Sequence, residues 1–332
     1  MKKTMKAVAL VMSLFLIIGV FAGCSQDKSA KDDSQSVSDS ASFTGGAIID
    51  IAPEMVPLAG SPAMFSAMPT ASGTLVNSNE KAAVDYSNTS DGYVMTKSTK
   101  TTDKPLKVQI VGPSLTTYTY SLKGTGEYEV FPLSDGNGGY TVTVYENVEG
   151  NKYATANAVQ FDVKLSDEFA PFLRPNQYVN FNANSKTVAK ADEIVAGTGD
   201  TLGKIAAIFN FLTSHLSYDE VLAANVKSGY LPDVDAVLDK GKGICFDYAS
   251  VMTAMLRSQG IPTKLVIGYA GDVYHAWINV YSEESGWMGS VVYFDGHDWK
   301  LTDPTFYSTA GGSEQVKQYI GDGSNYTAKY LY

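Results

Sequence analysis

Cysteine is the scarcest informative residue in this chain of 332: there are two, Cys24 and Cys245. Such a sequence can close at most one internal disulfide, so a fold stapled by several bridges is excluded. Histidine is nearly as rare, and any imidazole chemistry must draw on His215, His275 or His297. Basic residues number 25 against 35 acidic ones, for a net charge of −10. That balance argues against nucleic acid as a partner and against electrostatic attraction to anionic lipid. No DxDxDG loop is present, and SDGNG at 134–138 is too short for one and reads as a hairpin turn, so calcium is not expected. Neither a metal nor a cofactor is implied. The apolar run from residue 7 to residue 20, with only Ser13 polar, is shorter than the roughly 20 residues that span a bilayer core.

That run has the layout of an export signal: Lys2, Lys3 and Lys6 before it, small residues Ala22 and Gly23 after it. The sequence FAGC that ends at Cys24 resembles the lipobox of bacterial lipoproteins, with Phe21 where leucine is usual. The resemblance implies that residues 1–23 are a removed lipoprotein signal peptide and that Cys24 becomes a lipidated first residue. The protein would then be extracytoplasmic and anchored to the bacterial membrane; an ordinary cleaved signal with a chance cysteine is the alternative. With lipid on Cys24, Cys245 has no disulfide partner, and an unpaired thiol in an exported protein needs a reason. Residues 25–42 are almost all Ser, Asp, Lys and Gln and cannot bury enough apolar surface to fold. Residues 43–73 are apolar but broken by Gly and Pro, so 24–81 as a whole is expected to be tether and irregular linker.

From 82 to 165 short alternating segments such as LKVQIVG, YTYSLKG and YTVTVYENV are separated by turn signals every 8 to 12 residues. About seven such strands favour an immunoglobulin-like β-sandwich. This stretch contains no His and no Cys, so a spacer or interaction module is expected of it.

Beyond it, 166–332 shifts to helical spacing, giving an α+β chain overall. Ile205, Ile208, Phe209 and Leu212 recur at helical intervals after Asp200, and a short helix is expected over 233–238 before the glycines at 241 and 243. Cys245 opens CFDYASVMTAMLRSQG, in which Ala249, Met252, Met255 and Leu256 form an apolar stripe that Gly260 and Pro262 end. The spacing therefore puts Cys245 at a helix N-terminus, where a thiol is favoured as thiolate and first-turn amides can hold an oxyanion. Of the three histidines, His297 sits by a turn dipeptide and His215 reads as structural. His275 lies in YHAWINVY, whose alternation puts His275, Trp277, Asn279 and Tyr281 on one face. The preceding segment TKLVIGYA is expected to pair with it across a GDVY turn. Asp303, before Pro304 at the end of WKLTDPT, supplies an acceptor to orient the imidazole. Of the aromatics nearby, Trp277 is the one expected to bind substrate near the cleft.

Gly243-Ile244-Cys245, LRSQGIPTKLVIGY, HAW and DPT, in that order from about 201 to 305, resemble the transglutaminase-like superfamily. The resemblance implies a papain-type domain with a helix packed on an antiparallel sheet, Cys245 as nucleophile, His275 as base and acid, and Asp303 as orienting carboxylate. The upstream SHLSYD also resembles the family pattern and implies Tyr218 beside the oxyanion site, as a substrate-binding residue. The departure is the insertion SEESGWMGSVVYFDGHD between histidine and aspartate, expected to extend the hairpin. A thiol attacking an amide gives a thioester, and the acceptor then names the reaction. Cleavage of an amide or peptide bond in a protein or peptide of the cell envelope is expected, as a cysteine-type amidase or peptidase. Protein-glutamine cross-linking is the alternative within enzymes, and a non-catalytic envelope binding or scaffold protein the alternative outside them.

Overall fold

Alternation in 82–165 becomes two four-stranded antiparallel sheets in the computed structural model, which describes residues 65–283, 286–288 and 326–332 in full and the main chain of 292–294 and 299–301. The strands are β1 (Val76–Ser78), β2 (Ala82–Asp85), β3 (Tyr93–Ser98), β4 (Leu106–Val111), β5 (Thr117–Leu122), β6 (Glu129–Pro132), β7 (Gly138–Glu149) and β8 (Lys152–Val163). One sheet has the order β1-β2-β3-β6 and the other β5-β4-β7-β8. In β5, Tyr118, Tyr120 and Leu122 are buried while Thr117, Thr119 and Ser121 face out, the period of two that a half-buried strand requires. These side chains join Val108 and Ile110, Val142 and Val144, and Ala82, Val84, Val94 and Phe131 of the other sheet in one core. β1 lies ahead of residue 82, the expected start of this region, and pairs with β2.

Part of the apolar linker packs as well. Phe65 is buried against Gly260, where a β-carbon would come within 2.7 Å of its ring. The Thr70 carbonyl accepts the Tyr93 hydroxyl at 3.1 Å.

Helices follow: α1 (Lys186–Val195), α2 (Thr201–His215), α3 (Glu220–Asn225), α4 (Val234–Lys240) and α5 (Cys245–Ser258). Aspartates cap three of them, since Asp200, Asp219 and Asp233 accept the amides of Gly203, Leu222 and Ala236. The expected stripe on α5 is buried, but so is every residue from Asp247 to Ser258. The helix is wrapped, with α1, α2 and α4 packed around it together with β11 (Thr263–Ala270) and β12 (Val273–Ser282). At its end the Arg257 guanidinium is fully buried and donates to the main-chain oxygens of Arg174, Thr263 and Tyr332.

β11 and β12 form a hairpin in which Ala270 pairs with Val273, so its connection is Gly271-Asp272 alone and Val273 and Tyr274 already belong to the ladder. Gly271, at φ 59°, supplies the left-handed conformation that a two-residue hairpin needs. With β13 (Gly286–Met288) and β16 (Tyr326–Leu331) the third sheet has the order β13-β12-β11-β16, all antiparallel. β14 (Val292–Phe294), inside the insertion, pairs with β15 (Trp299–Leu301), just after it. The described chain is thus mixed helix and sheet, with the thiol helix against an antiparallel sheet.

Candidate active site around Cys245

Gly241 ends α4 in the left-handed region, at φ 64°, and turns the chain into a two-residue strand, β10 (Lys242–Gly243). β10 runs parallel to β9 (Ser217–Tyr218), with Tyr218 opposite Gly243. Main-chain bonds Ser217 N–H to Gly241 O (3.0 Å) and Asp219 N–H to Gly243 O (2.9 Å) fasten the two. Ile244 is extended, at φ −94° and ψ 176°, and helix begins at Cys245. The thiol therefore stands in the first turn, among amides that have no partner within the helix. Cys245 is half-buried and free.

Asp247, which the sequence reasoning did not single out, lies under this turn. Its Oδ2 accepts the Ile244 amide at 2.8 Å and its Oδ1 accepts the Tyr230 hydroxyl at 2.7 Å, with the residue fully buried. Burial pushes its carboxyl up, against the pull of those two donors. The available signal was an acid at the third helical position, where a carboxylate reaches back to the N-cap amide. Asp219, beside Tyr218, is held down at about 2, chiefly by the Lys240 ammonium at 2.7 Å and then by the Leu222 amide.

Aromatic rings flank the thiol. Phe246 packs against Tyr178 and Tyr230, with centroids 5.6 and 6.5 Å apart. Tyr274 stands within electrostatic reach of Cys245 and is pushed up to about 12, first by burial and then by Tyr330, Tyr269 and Cys245.

β12 presents the other expected residues. His275 is buried opposite Gly268, and its ring lies 6.4 Å from those of Trp277 and Tyr326. Trp277 is buried edge-on to Tyr326 at 5.0 Å. The alternate side chains Ala276, Ile278 and Val280 belong to the core that includes Ala249, Met252 and Met255 of α5. Cys245 and Tyr218 are thus brought onto adjacent segments, and Cys245 and Tyr274 into range. His275 sits one residue along β12 from Tyr274, on the strand's other side beside Trp277. Asp303, His297 and Cys24 lie outside the described residues. His215 accepts a structural role, its Nε2 lying 2.8 Å from the Leu238 carbonyl oxygen.

Among the described residues no three His, Cys, Asp or Glu side chains group as a metal-holding set. A hollow of about 550 Å³ lies between Lys186, Lys190, Phe211, His215 and Asp239, and another of about 320 Å³ beside Lys81, Lys100 and Lys104. Neither includes the thiol, whose claim rests on its chemistry.

Residues 188–289 match the family described as the transglutaminase-like superfamily. A protein-glutamine gamma-glutamyltransferase of Pseudomonas aeruginosa is 25% identical over 168 residues, which are 46% of this chain and 23% of that protein. YebA, an uncharacterised protein of Bacillus subtilis, is 30% identical over 104 residues, 26% of this chain and 14% of that one. The chain thus matches less than a quarter of the length of either relative. Among solved structures, a candidate cysteine protease from Cytophaga hutchinsonii aligns over 78% of this chain and 73% of its own, at 15% identity and TM-score 0.36. The periplasmic domain of TgpA from P. aeruginosa, bound to ethylmercury, aligns over 74% and 78%, at 17% identity and TM-score 0.31.

Proposed function

Residues 188–289 form a transglutaminase-like domain, and from that premise we propose that this protein is a cysteine-dependent enzyme cleaving an amide or peptide bond in the cell envelope. The observation that carries the reading is Cys245, a free, half-buried thiol at the first residue of a helix buried from Asp247 to its end. In this reading the Cys245 sulfur attacks the carbonyl carbon and first-turn amides hold the oxyanion. The amine then leaves with a proton from the His275 imidazole. Water, giving its proton back to the imidazole, hydrolyses the thioester and frees the acid. Asp303 orients the ring. Trp277 backs the ring, and Tyr218 and Tyr274 flank the acyl group.

A second reading is acyl transfer to an amine, favoured by the name of the P. aeruginosa relative. Two assays decide. Iodoacetamide should label Cys245 quickly at neutral pH and more slowly after His275→Ala; slow labelling indifferent to His275 would favour a non-catalytic scaffold. With a glutamine-containing peptide and a tagged amine, incorporation of the amine in excess of released ammonia would replace hydrolysis by cross-linking.

The first two sheets are proposed to be the immunoglobulin-like sandwich. In support, the chain crosses from one sheet to the other at β3–β4, β5–β6 and β6–β7, and the Tyr140 hydroxyl accepts the Asp135 amide at 3.0 Å and donates to the Gly136 carbonyl at 2.9 Å. A tyrosine early in a late strand that bonds back to the preceding turn is a corner typical of such domains. The lipid anchor at Cys24 and the envelope location belong to the same proposal. Metabolic labelling with a tagged fatty acid, abolished by Cys24→Ala, would support both, and labelling that persists would end them.

A further inference from the structure

The Gly243-Ile244 peptide unit, one residue ahead of the bond into Cys245, is held at both polar ends. Its carbonyl, on Gly243, accepts the Asp219 amide at 2.9 Å, and its N–H, on Ile244, donates to Asp247 Oδ2 at 2.8 Å. Rotating that plane would break both bonds in a buried place, at about 1–3 kcal/mol for each group left unpaired. Gly243 leaves no slack, because the Asp247 side chain fills the space where its β-carbon would be. The second oxygen of Asp247 reaches outward to Tyr230, which lies between α3 and α4 and packs toward Phe246, the residue after the thiol. One buried carboxylate thus fastens the main chain ahead of Cys245 and the segment beside it. Burial alone would favour a neutral carboxyl there, so ionisation depends on both donors.

We propose that Asp247 is a positioning residue for the thiol site, fixing the Gly243-Ile244 peptide plane in front of Cys245 and, through Tyr230, anchoring the 226–233 segment as a wall beside it. This rests on the reading of Cys245 as a nucleophile, and the test separates the two.

Two quantities are measured on the folded chain: hydrogen exchange at the Ile244 amide and the rate of Cys245 alkylation by iodoacetamide. Asp247→Ala should speed Ile244 exchange about tenfold or more, as expected when a buried charged acceptor is lost. It should also slow alkylation about tenfold through misplacement of the thiol. Asp247→Asn keeps an oxygen for the Ile244 amide and should hold both quantities within about threefold of wild type. Tyr230→Phe, which leaves the Ile244 bond in place, should leave Ile244 exchange within that range while raising exchange across 226–233 about tenfold. Ile244 protection unchanged in Asp247→Ala, an Asn variant that loses as much as the Ala one, or 226–233 exchange unmoved in Tyr230→Phe would each overturn the proposal. If Asp247→Ala does not fold, the Asn and Phe variants still decide it. Wild-type alkylation that is slow and indifferent to His275 would instead count against the thiol-enzyme reading, whatever Ile244 does.

Discussion

Gly243→Ala should be among the most damaging single-methyl additions in the chain. Gly243 does not occupy the left-handed region, so alanine meets no backbone penalty there. The whole cost arises from what the methyl meets: Asp247 Cβ at 2.5 Å, Oδ2 at 2.8 Å and Cγ at 3.0 Å. Carbon atoms in contact normally sit about 3.5–4.0 Å apart, so Asp247 must retreat by roughly 1 Å. It is fully buried, and retreat lengthens its bond to Ile244 or to Tyr230. Overpacking of this kind costs about 1–3 kcal/mol, and a buried group that loses its partner adds about 1–3 more. We therefore expect a loss of about 2–6 kcal/mol, a large part of an ordinary domain's stability. Urea unfolding with an unchanged m-value reads the difference. Gly199→Ala is the control, since nothing lies within 4 Å of its added carbon. In an Asp247→Gly background all three obstructing atoms are gone, and the added methyl should then cost less than about 1 kcal/mol. The reasoning fails if Gly243→Ala unfolds at the same urea concentration as Gly199→Ala, or if its cost persists without the Asp247 side chain.

Arg257→Met should destabilise by about 3 kcal/mol, because it strands the buried Thr263 and Arg174 carbonyls that the guanidinium serves. Unfolding within about 1 kcal/mol of wild type would mean that shedding a buried charge offsets the orphaned acceptors. Tyr140→Phe should cost about 1 kcal/mol by leaving the Asp135 amide and the Gly136 carbonyl to find other partners, and an unchanged urea midpoint would deny the corner its role. Asp219, held at about 2 by Lys240, favours the folded state in full above its unfolded pKa of about 4 and loses that contribution as pH falls from about 4 to about 2. Asp247, pushed up by burial, works in the opposite sense, costing stability as pH rises from its unfolded value through its higher folded one. Lys240→Met should flatten the acid side of the stability curve between pH 4 and 2, and a curve that keeps its slope there would remove Asp219 as the cause.

How much of this was legible in the sequence depends on how local each cause is. The start of α5 was, because a glycine-rich approach followed by apolar spacing acts within a dozen residues, and Cys245 is its first helical residue. The alternation of β12 was too, and the core accepts Ala276, Ile278 and Val280 as one set. The limits of the apolar stripe were not. Ser250, Thr253, Arg257 and Ser258 are polar by type, yet they are buried because helices and sheet enclose α5 on every side. Arg257 is tolerable there because, besides the nearby Thr263 carbonyl, it finds acceptors at residues 174 and 332, which no local window contains. β16 pairs with β11 from some 60 residues away, so YTAKYL shows a strand's composition without naming its partner. Asp247 shows the same divide inside the site. An acid at the third helical position reads locally as an ordinary cap, but its second bond comes from Tyr230, across a helix and a loop. The place of Cys245 at a helix start is thus written in local sequence, while the second bond of the carboxylate beneath it forms only when the segment carrying Tyr230 folds onto that turn.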